Sequence, residues 1–355
     1  MKSLYIHIPF CKQKCLYCDF NSYSNADKLI NDYVIALKNE IQSYSFNAYK
    51  TIYFGGGTPS YIDEKSIIDI LNCVDYKKAE EITIEVNPGT VTKEKLRSYI
   101  ENGINRLSIG LQATQDNILK EIGRIHTLED FEKTYIMARE VGFKNISVDL
   151  MFGLPNQALK DVEESLDFII KINPEHVSCY SLILHENIFN NLPEDEEERE
   201  MYYLIINKLK EAGYEHYEIS NFAKPGYESK HNLVYWNQGE YVGVGAGASS
   251  YIDNKRYTNV TNINKYITNY GDRIIEEIQS ADDKEREYII LKLRLIDGIN
   301  IEEMNEKFNI NVCEKYKEQI EKMKKLELLE YNDKKIRLTK KGLDLANVVW
   351  QEFLE

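Results

Sequence analysis

No stretch of this 355-residue chain approaches the ~18 consecutive apolar residues that a membrane-spanning helix needs. The segment Met1 to Phe10 is also too short and too polar for a secretory signal. Basic excess is missing too. Lys and Arg number 44 against 58 Asp and Glu, giving a net charge of −14, so a nucleic-acid-binding face is not expected. Proline is sparse at 7 residues, and no low-complexity segment or internal repeat interrupts the chain. The apolar share of 43% is too high for a disordered protein and sufficient for one large core plus an appendage. These deficits point to a cytoplasmic globular protein.

Among the six cysteines, Cys11, Cys15 and Cys18 cluster within eight residues, while Cys73, Cys179 and Cys313 are scattered. A disulfide framework belongs to small secreted domains and would spread in pairs. The scattered three read as small buried hydrophobes. The clustered three read as metal ligands.

Short β-branched runs alternate with amphipathic stretches through the first half. Strands are predicted at Ser3–Ile8, Thr51–Phe54, Ile82–Val86, Arg106–Gly110, Ile146–Met151 and His176–Leu182. Helices are predicted at Asp27–Ser45, Asp63–Val74, Thr92–Asn102, Asp116–Ile122, Leu128–Val141 and Lys160–Ile172. Thr92 and Thr127 sit where N-caps belong, Gly103 and Gly142 where helices stop. Six successive β-α units imply an α/β fold: an incomplete (β/α)6 barrel whose chemistry lies at the C-terminal strand ends. We divide the chain into a partial barrel over 1–190, a barrel extension over 191–283 and a C-terminal domain over 284–355. The last is a helix–helix–helix–hairpin–helix pattern, winged-helix-like within an α+β region. Its 15 basic and 15 acidic residues cancel, which favours a lid or protein-contact role over nucleic-acid binding.

Cys11-x3-Cys15-x2-Cys18 follows directly on the first predicted strand. Three thiolates can hold three irons of a [4Fe–4S] cluster and leave the fourth open, whereas zinc would want a second ligand pair that this chain lacks. Tyr5-Ile-His-Ile-Pro-Phe-Cys-Lys-Gln-Lys-Cys-Leu-Tyr-Cys-Asp-Phe resembles the radical S-adenosylmethionine (SAM) superfamily. More narrowly it resembles the branch holding oxygen-independent coproporphyrinogen III oxidase and its heme-chaperone relatives. The resemblance implies that SAM chelates the open iron and is cleaved by one electron to methionine and a 5′-deoxyadenosyl radical.

It also implies a set of SAM contacts. Gly56, Gly57 and Thr58 lie in Gly55-Gly-Gly-Thr-Pro59 after strand two, Glu85 lies at the end of strand three, and Gln112 follows strand four. Arg124, a partner for the SAM carboxylate, and Asp149 on strand five complete the set, with Tyr5 and Tyr17 flanking the cofactor. His7 and His126 read as structural histidines. The glycines of Gly243-Val-Gly245-Ala-Gly247 read as a tight turn near the cofactor rather than a dinucleotide loop.

Phe20 stands where the oxidase pattern CxxxCxxCxC has its further cysteine, and only ten residues precede Cys11. Both features favour the chaperone over the oxidase or another tetrapyrrole-modifying enzyme. His231-Asn-Leu-Val-Tyr235-Trp236 matches the HNxxYW motif associated with heme in that branch. His231 is therefore expected as axial ligand of heme b, with Tyr235 and Trp236 against the porphyrin. The resemblance further implies heme-acceptor proteins, including membrane respiratory enzymes reached at the inner face of the membrane, a reductant for the cluster, and a homodimer.

Overall fold

In the computed structural model, residues 1–183 and 188–354 are described. Twelve strands form one open sheet. They are β1 (Ser3–Ile8), β2 (Thr51–Gly56), β3 (Glu81–Val86), β4 (Arg106–Gln112), β5 (Ile146–Phe152) and β6 (His176–Ser181), then β7 (Glu215–Glu218), β8 (Asn221–Ala223), β9 (Tyr241–Val244), β10 (Ser249–Ile252), β11 (Lys255–Asn259) and β12 (Arg273–Ile278). The order is β12-β11-β10-β9-β1-β2-β3-β4-β5-β6-β8-β7. β1 to β6 run parallel in sequence order, and β9 adds a seventh parallel strand beside β1. The remaining strands extend both flanks antiparallel, and the sheet does not close.

The crossovers carry α1 (Ile30–Ser43), α2 (Glu64–Leu71), α3 (Lys93–Glu101), α4 (Asp116–Glu121), α5 (Leu128–Val141) and α6 (Leu159–Ile172). Thr92 caps α3 through the Lys95 amide, Thr127 and Asp130 form a capping box on α5, and Gly142 ends α5 at φ +113°. The β-branched strands are buried on both faces, as a parallel sheet sandwiched by helices requires.

α7 (Asp195–Glu211) packs its Met201, Ile205 and Leu209 into this same core, which runs from Leu4 to Tyr266. The extension is thus continuous with the barrel. α8 (Lys230–Trp236) starts at a Ser229 cap, and α9 (Ile263–Thr268) follows β11. The C-terminal region has its own core, running from Tyr288 to Phe353. It holds α10 (Ala281–Lys292), β13 (Ile299–Asn300), α11 (Ile301–Phe308), α12 (Val312–Lys315), α13 (Lys317–Lys325), β14 (Leu329–Tyr331), β15 (Lys335–Leu338), α14 (Lys340–Asp344) and α15 (Ala346–Leu354). This small domain caps the β7 edge: the Ile219 amide donates to the Arg294 carbonyl, and the Ile296 amide to the Tyr217 carbonyl. Among the described residues no helix is long and apolar enough to cross a membrane.

Candidate functional site

A cavity of about 470 Å3 opens at the C-terminal ends of the parallel strands. Cys11, Cys15 and Cys18 lie on its wall, together with Tyr17, Gly56, Gly57, Thr58, Glu85, Gln112, Arg124 and Asp149. Eleven of the thirteen residues singled out from the sequence therefore meet in one place. Tyr5 and His231 are the exceptions.

The cysteine loop is pinned at several points. Phe10–Cys11 pairs with Tyr23–Ser24, the Leu16 amide donates to the Ile122 carbonyl, and the Cys18 amide donates to the Cys15 carbonyl. Cys11 is buried, and its Sγ accepts from Thr58 Oγ1 at 3.5 Å, which in turn accepts from Asn87 Nδ2 at 2.8 Å. Arg124 Nη1 lies 3.7 Å from Cys15 Sγ. Burial pushes the Cys11 and Cys18 thiols up. Among the described residues, no three His, Cys, Asp or Glu side chains converge as ligands of a single ion. Cys11, Cys15 and Cys18 on one cavity wall could each take a separate iron of a cubane.

The glycines at the end of β2 are demanded by space. A Cβ on Gly57 would lie 2.9 Å from Cys11 Sγ, and one on Gly56, at φ +116°, 2.7 Å from the His7 ring. The backbone can thus come close to a ligand there. Lys95 Nζ, buried beneath, donates to the Ile62 carbonyl at 2.7 Å and holds the following turn.

Glu85 accepts from Tyr53 Oη at 2.9 Å and from the Gly56 amide at 3.2 Å. Desolvation inside the barrel raises its pKa to about 7, and that of Asp149, which accepts from Ser108 Oγ at 3.0 Å, to about 6. The register of β4 slips between Gly110 and Gln112, and Gln112 takes φ +69°. That bulge sets Gln112 on the cavity wall, where Tyr180 Oη donates to its Oε1 at 3.1 Å. Arg124 reaches the Gly110 carbonyl with Nη2 at 3.4 Å, while its buried Nε has no partner among the described residues. A buried guanidinium with an unused donor fits a carboxylate ligand.

Asn87, Ser108, Gly110, Met151 and Tyr180 also line the cavity and were not singled out from the sequence. Their signal was positional: Asn87, Ser108 and Gly110 flank Glu85 and Gln112, so strand-end neighbours could have been included. Tyr180 carried no motif. Tyr5 instead supports the glycine floor from beneath, where a Gly55 Cβ would lie 2.9 Å from its ring, and its Oη bonds His7 Nδ1 at 3.0 Å.

His231 lies at the other end of the barrel. Its amide and that of Lys230 donate to Glu81, the first residue of β3, and its ring meets Thr51, the first residue of β2. Thr51 Oγ1 spends its hydrogen on Ser3 Oγ, so it accepts from His231 Nδ1–H at 2.8 Å. Nε2 is then left to accept from Tyr235 Oη, also at 2.8 Å. The residue is 1% exposed, and burial lowers its pKa to about 3. The lone pair expected to bind heme iron is already used by Tyr235 in this conformation. The sequence shows the motif but not that strand starts surround its histidine.

His7 and His126 are hydrogen-bonded core histidines, and Gly245 and Gly247 form a turn at φ +103° and +78° against His7 and Asn21 of the cysteine loop.

Residues 5–169 match the model of the Radical SAM superfamily, and residues 279–345 that of the HemN C-terminal domain. The chain is 38% identical to the heme chaperone HemW of Bacillus subtilis, over 100% of this chain and 99% of that protein. It is 37% identical to the heme chaperone HemW of Lactococcus lactis, over 99% of this chain and 97% of that protein. The chain belongs to the HemW family of the radical SAM superfamily. Its fold matches coproporphyrinogen III oxidase (HemN) from Escherichia coli with a TM-score of 0.86, covering 99% of this chain and 89% of that one. At 23% identity that likeness concerns the HemW-family fold alone. Family membership implies a [4Fe–4S] cluster and SAM as cofactors, and the cavity has the thiols, glycine floor and guanidinium donor to accept both.

Proposed function

We propose that this chain is a heme chaperone that binds a [4Fe–4S] cluster, SAM and heme b and hands heme to acceptor proteins. The full-length similarity to two proteins named heme chaperones carries this reading. Phe20, standing where the oxidase pattern has a further cysteine, supports it against porphyrinogen decarboxylation.

Cys11, Cys15 and Cys18 would hold the cluster, with SAM on the remaining iron. When bound, that pair supplies one-electron reductive chemistry at the SAM sulfonium. The protein's part is positioning. Thr58 and Asn87 orient Cys11, Gly56 and Gly57 admit the methionine end, and Arg124 takes its carboxylate. Glu85, Gln112 and Asp149 face the amino group and ribose, and Tyr17 covers the open side. The acceptors are membrane respiratory enzymes met from the cytoplasm, a reductant serves the cluster, and the chain acts as a homodimer.

Anaerobic reconstitution with iron, sulfide and SAM, followed by hemin, tests the function. One hemin per chain, transferable to an apo-hemoprotein, with no product from coproporphyrinogen III, is the expected result. Decarboxylated porphyrinogen would make the chain an oxidase instead.

A further inference from the structure

The strands that carry the cavity continue beneath its floor, and alternate residues of a strand share a face. Ser108 and Gly110 line the cavity, so Arg106, the first residue of β4, lies on their face one layer lower. Thr83 lies beneath Glu85 and Asn87 on β3 in the same way. Arg106 and Thr83 are direct partners across the β3–β4 ladder, and Tyr53 on β2 is the next partner in that row. Arg106 is 2% exposed, and Thr83 is fully buried.

This layer holds a charge that its neighbours do not bind directly. Arg106 Nε and Thr83 Oγ1 are buried with no hydrogen-bond partner among the described residues. A guanidinium stays protonated inside a protein, and burying it is costly unless other groups answer its charge. Most groups around it cannot. Tyr53 on β2 and Tyr217 on β7 are phenols kept neutral by burial. His176 on β6 is held by Ser147 and Tyr217, His231 on α8 by Thr51 and Tyr235, and burial, then the charge of Arg106, lowers the pKa of both. Glu81 on β3 is engaged by the Lys230 and His231 amides. Glu85 on β3 and Asp149 on β5 remain. Burial raises the pKa of both and Arg106 lowers it, while Arg124 attracts Asp149 from the cavity side.

We propose that Arg106 is a positioning residue for SAM: from beneath the floor, without touching the cofactor, it keeps Glu85 and Asp149 ionised at neutral pH and so able to accept hydrogen bonds from it. The proposal rests on the reading that SAM fills this cavity. An ionised carboxylate offers acceptors only, whereas a protonated one turns a donor toward the ligand. The two arginines thus divide the work. Arg124 meets the SAM carboxylate, and Arg106 sets the charge of the groups that meet the rest.

Arg106→Gln removes the charge and Arg106→Lys keeps it. Infrared titration of the full-length chain without cofactors reads the protonated carboxyl of Glu85, identified by the band that Glu85→Gln abolishes. Its midpoint, at about 7 in the unaltered chain, should rise by about one pH unit or more in Arg106→Gln and stay in place in Arg106→Lys. Equilibrium dialysis with cluster-loaded protein should then show SAM bound about fivefold more weakly by Arg106→Gln at pH 7, with the loss recovered at pH 9 and absent in Arg106→Lys. A purely structural role would lower stability and leave the midpoint alone, and an unmoved midpoint overturns the assignment. Should Arg106→Gln fail to fold, adding Glu85→Gln should restore folding by removing the carboxylate that needed the charge; a double variant that stays unfolded overturns the assignment as well. Failure of the unaltered cluster-loaded chain to bind SAM would overturn the cofactor reading beneath it.

Discussion

The two ends of the parallel strands use the same residue types to opposite effect. At the N-terminal end, Glu81 accepts two amides of α8, and Thr51, His231 and Tyr235 form a closed chain of hydrogen bonds. At the C-terminal end, Arg124 Nε is unpaired among the described residues, Gln112 holds a left-handed backbone, and Glu85 and Asp149 have raised pKa values. Around His231 the ring's capacity is spent internally, although Arg106 Nε and Trp236 Nε1 stay unpartnered among the described residues. At the open end the unpartnered Arg124 Nε belongs to a residue that lines a cavity, where a ligand can use it.

The sharpest break in that contrast is Cys15→Ala at the open end. A cubane with two protein ligands is not retained, so iron should fall from about four per chain to background while the apo-protein unfolds as before. Iron analysis of oxygen-free preparations reads this; retention of a full complement would mean that another residue ligates.

At the sealed end, His231→Ala leaves Thr51 and Tyr235 without their partner and opens a void. The cost expected is about 2–4 kcal/mol in urea unfolding of apo-protein, with cluster absorbance intact. A shifted Soret band with unchanged stability would instead mark His231 as an iron ligand.

Stability against pH separates the ends further. Glu85 binds its proton more tightly folded, with a pKa of about 7, than unfolded, where carboxylates titrate near 4.3. The folded state thus holds the extra proton between those values, and stability falls as pH rises through that window. Asp149, at about 6, acts in the same sense. Glu85 should take roughly 1–3 kcal/mol from apo-protein stability between pH 4.5 and 7.5, and Glu85→Gln should remove that decline relative to the unaltered chain. His231 pulls the other way: neutral in the fold but titrating near 6.5 when unfolded, it adds stability as pH rises toward 7.

Gly57→Ala probes the floor of the open end. Its Cβ would press on Cys11 Sγ at 2.9 Å and the Phe10 carbonyl at 3.0 Å, so SAM affinity should drop about tenfold, roughly 1.4 kcal/mol. Equilibrium dialysis of SAM with the cluster-loaded variant checks it; unaltered affinity would show that the loop yields.

Much of this contrast was legible in the sequence because local signals carried it. All six parallel strands of the barrel were found to within two residues at each end, since β-branched runs punctuated by capped helices leave few alternatives. The three cysteines and the glycine triplet announce themselves by spacing. The seventh strand, Tyr241–Val244, was not anticipated: its glycine breaks the apolar pattern, and only pairing with β1 makes it a strand. The environment of His231 was equally hidden. Ser3, Thr51 and Glu81 are far from it in sequence, and nothing local signals that three strand starts converge on one helix.

Gln112 offers the finest test, because its strain has a measurable sign. A non-glycine residue at φ +69° costs on the order of 1 kcal/mol, and the bulge after Gly110 imposes it. Gln112→Gly should relieve that cost and stabilise apo-protein by about 1 kcal/mol. It should simultaneously weaken SAM binding, because the amide that meets Tyr180 is gone. Opposite signs in unfolding and in SAM dialysis are what a strained binding residue requires. A loss in both would mean that the Gln112 side chain is part of the framework, and the open end would then resemble the sealed one more than its unpaired donors suggest.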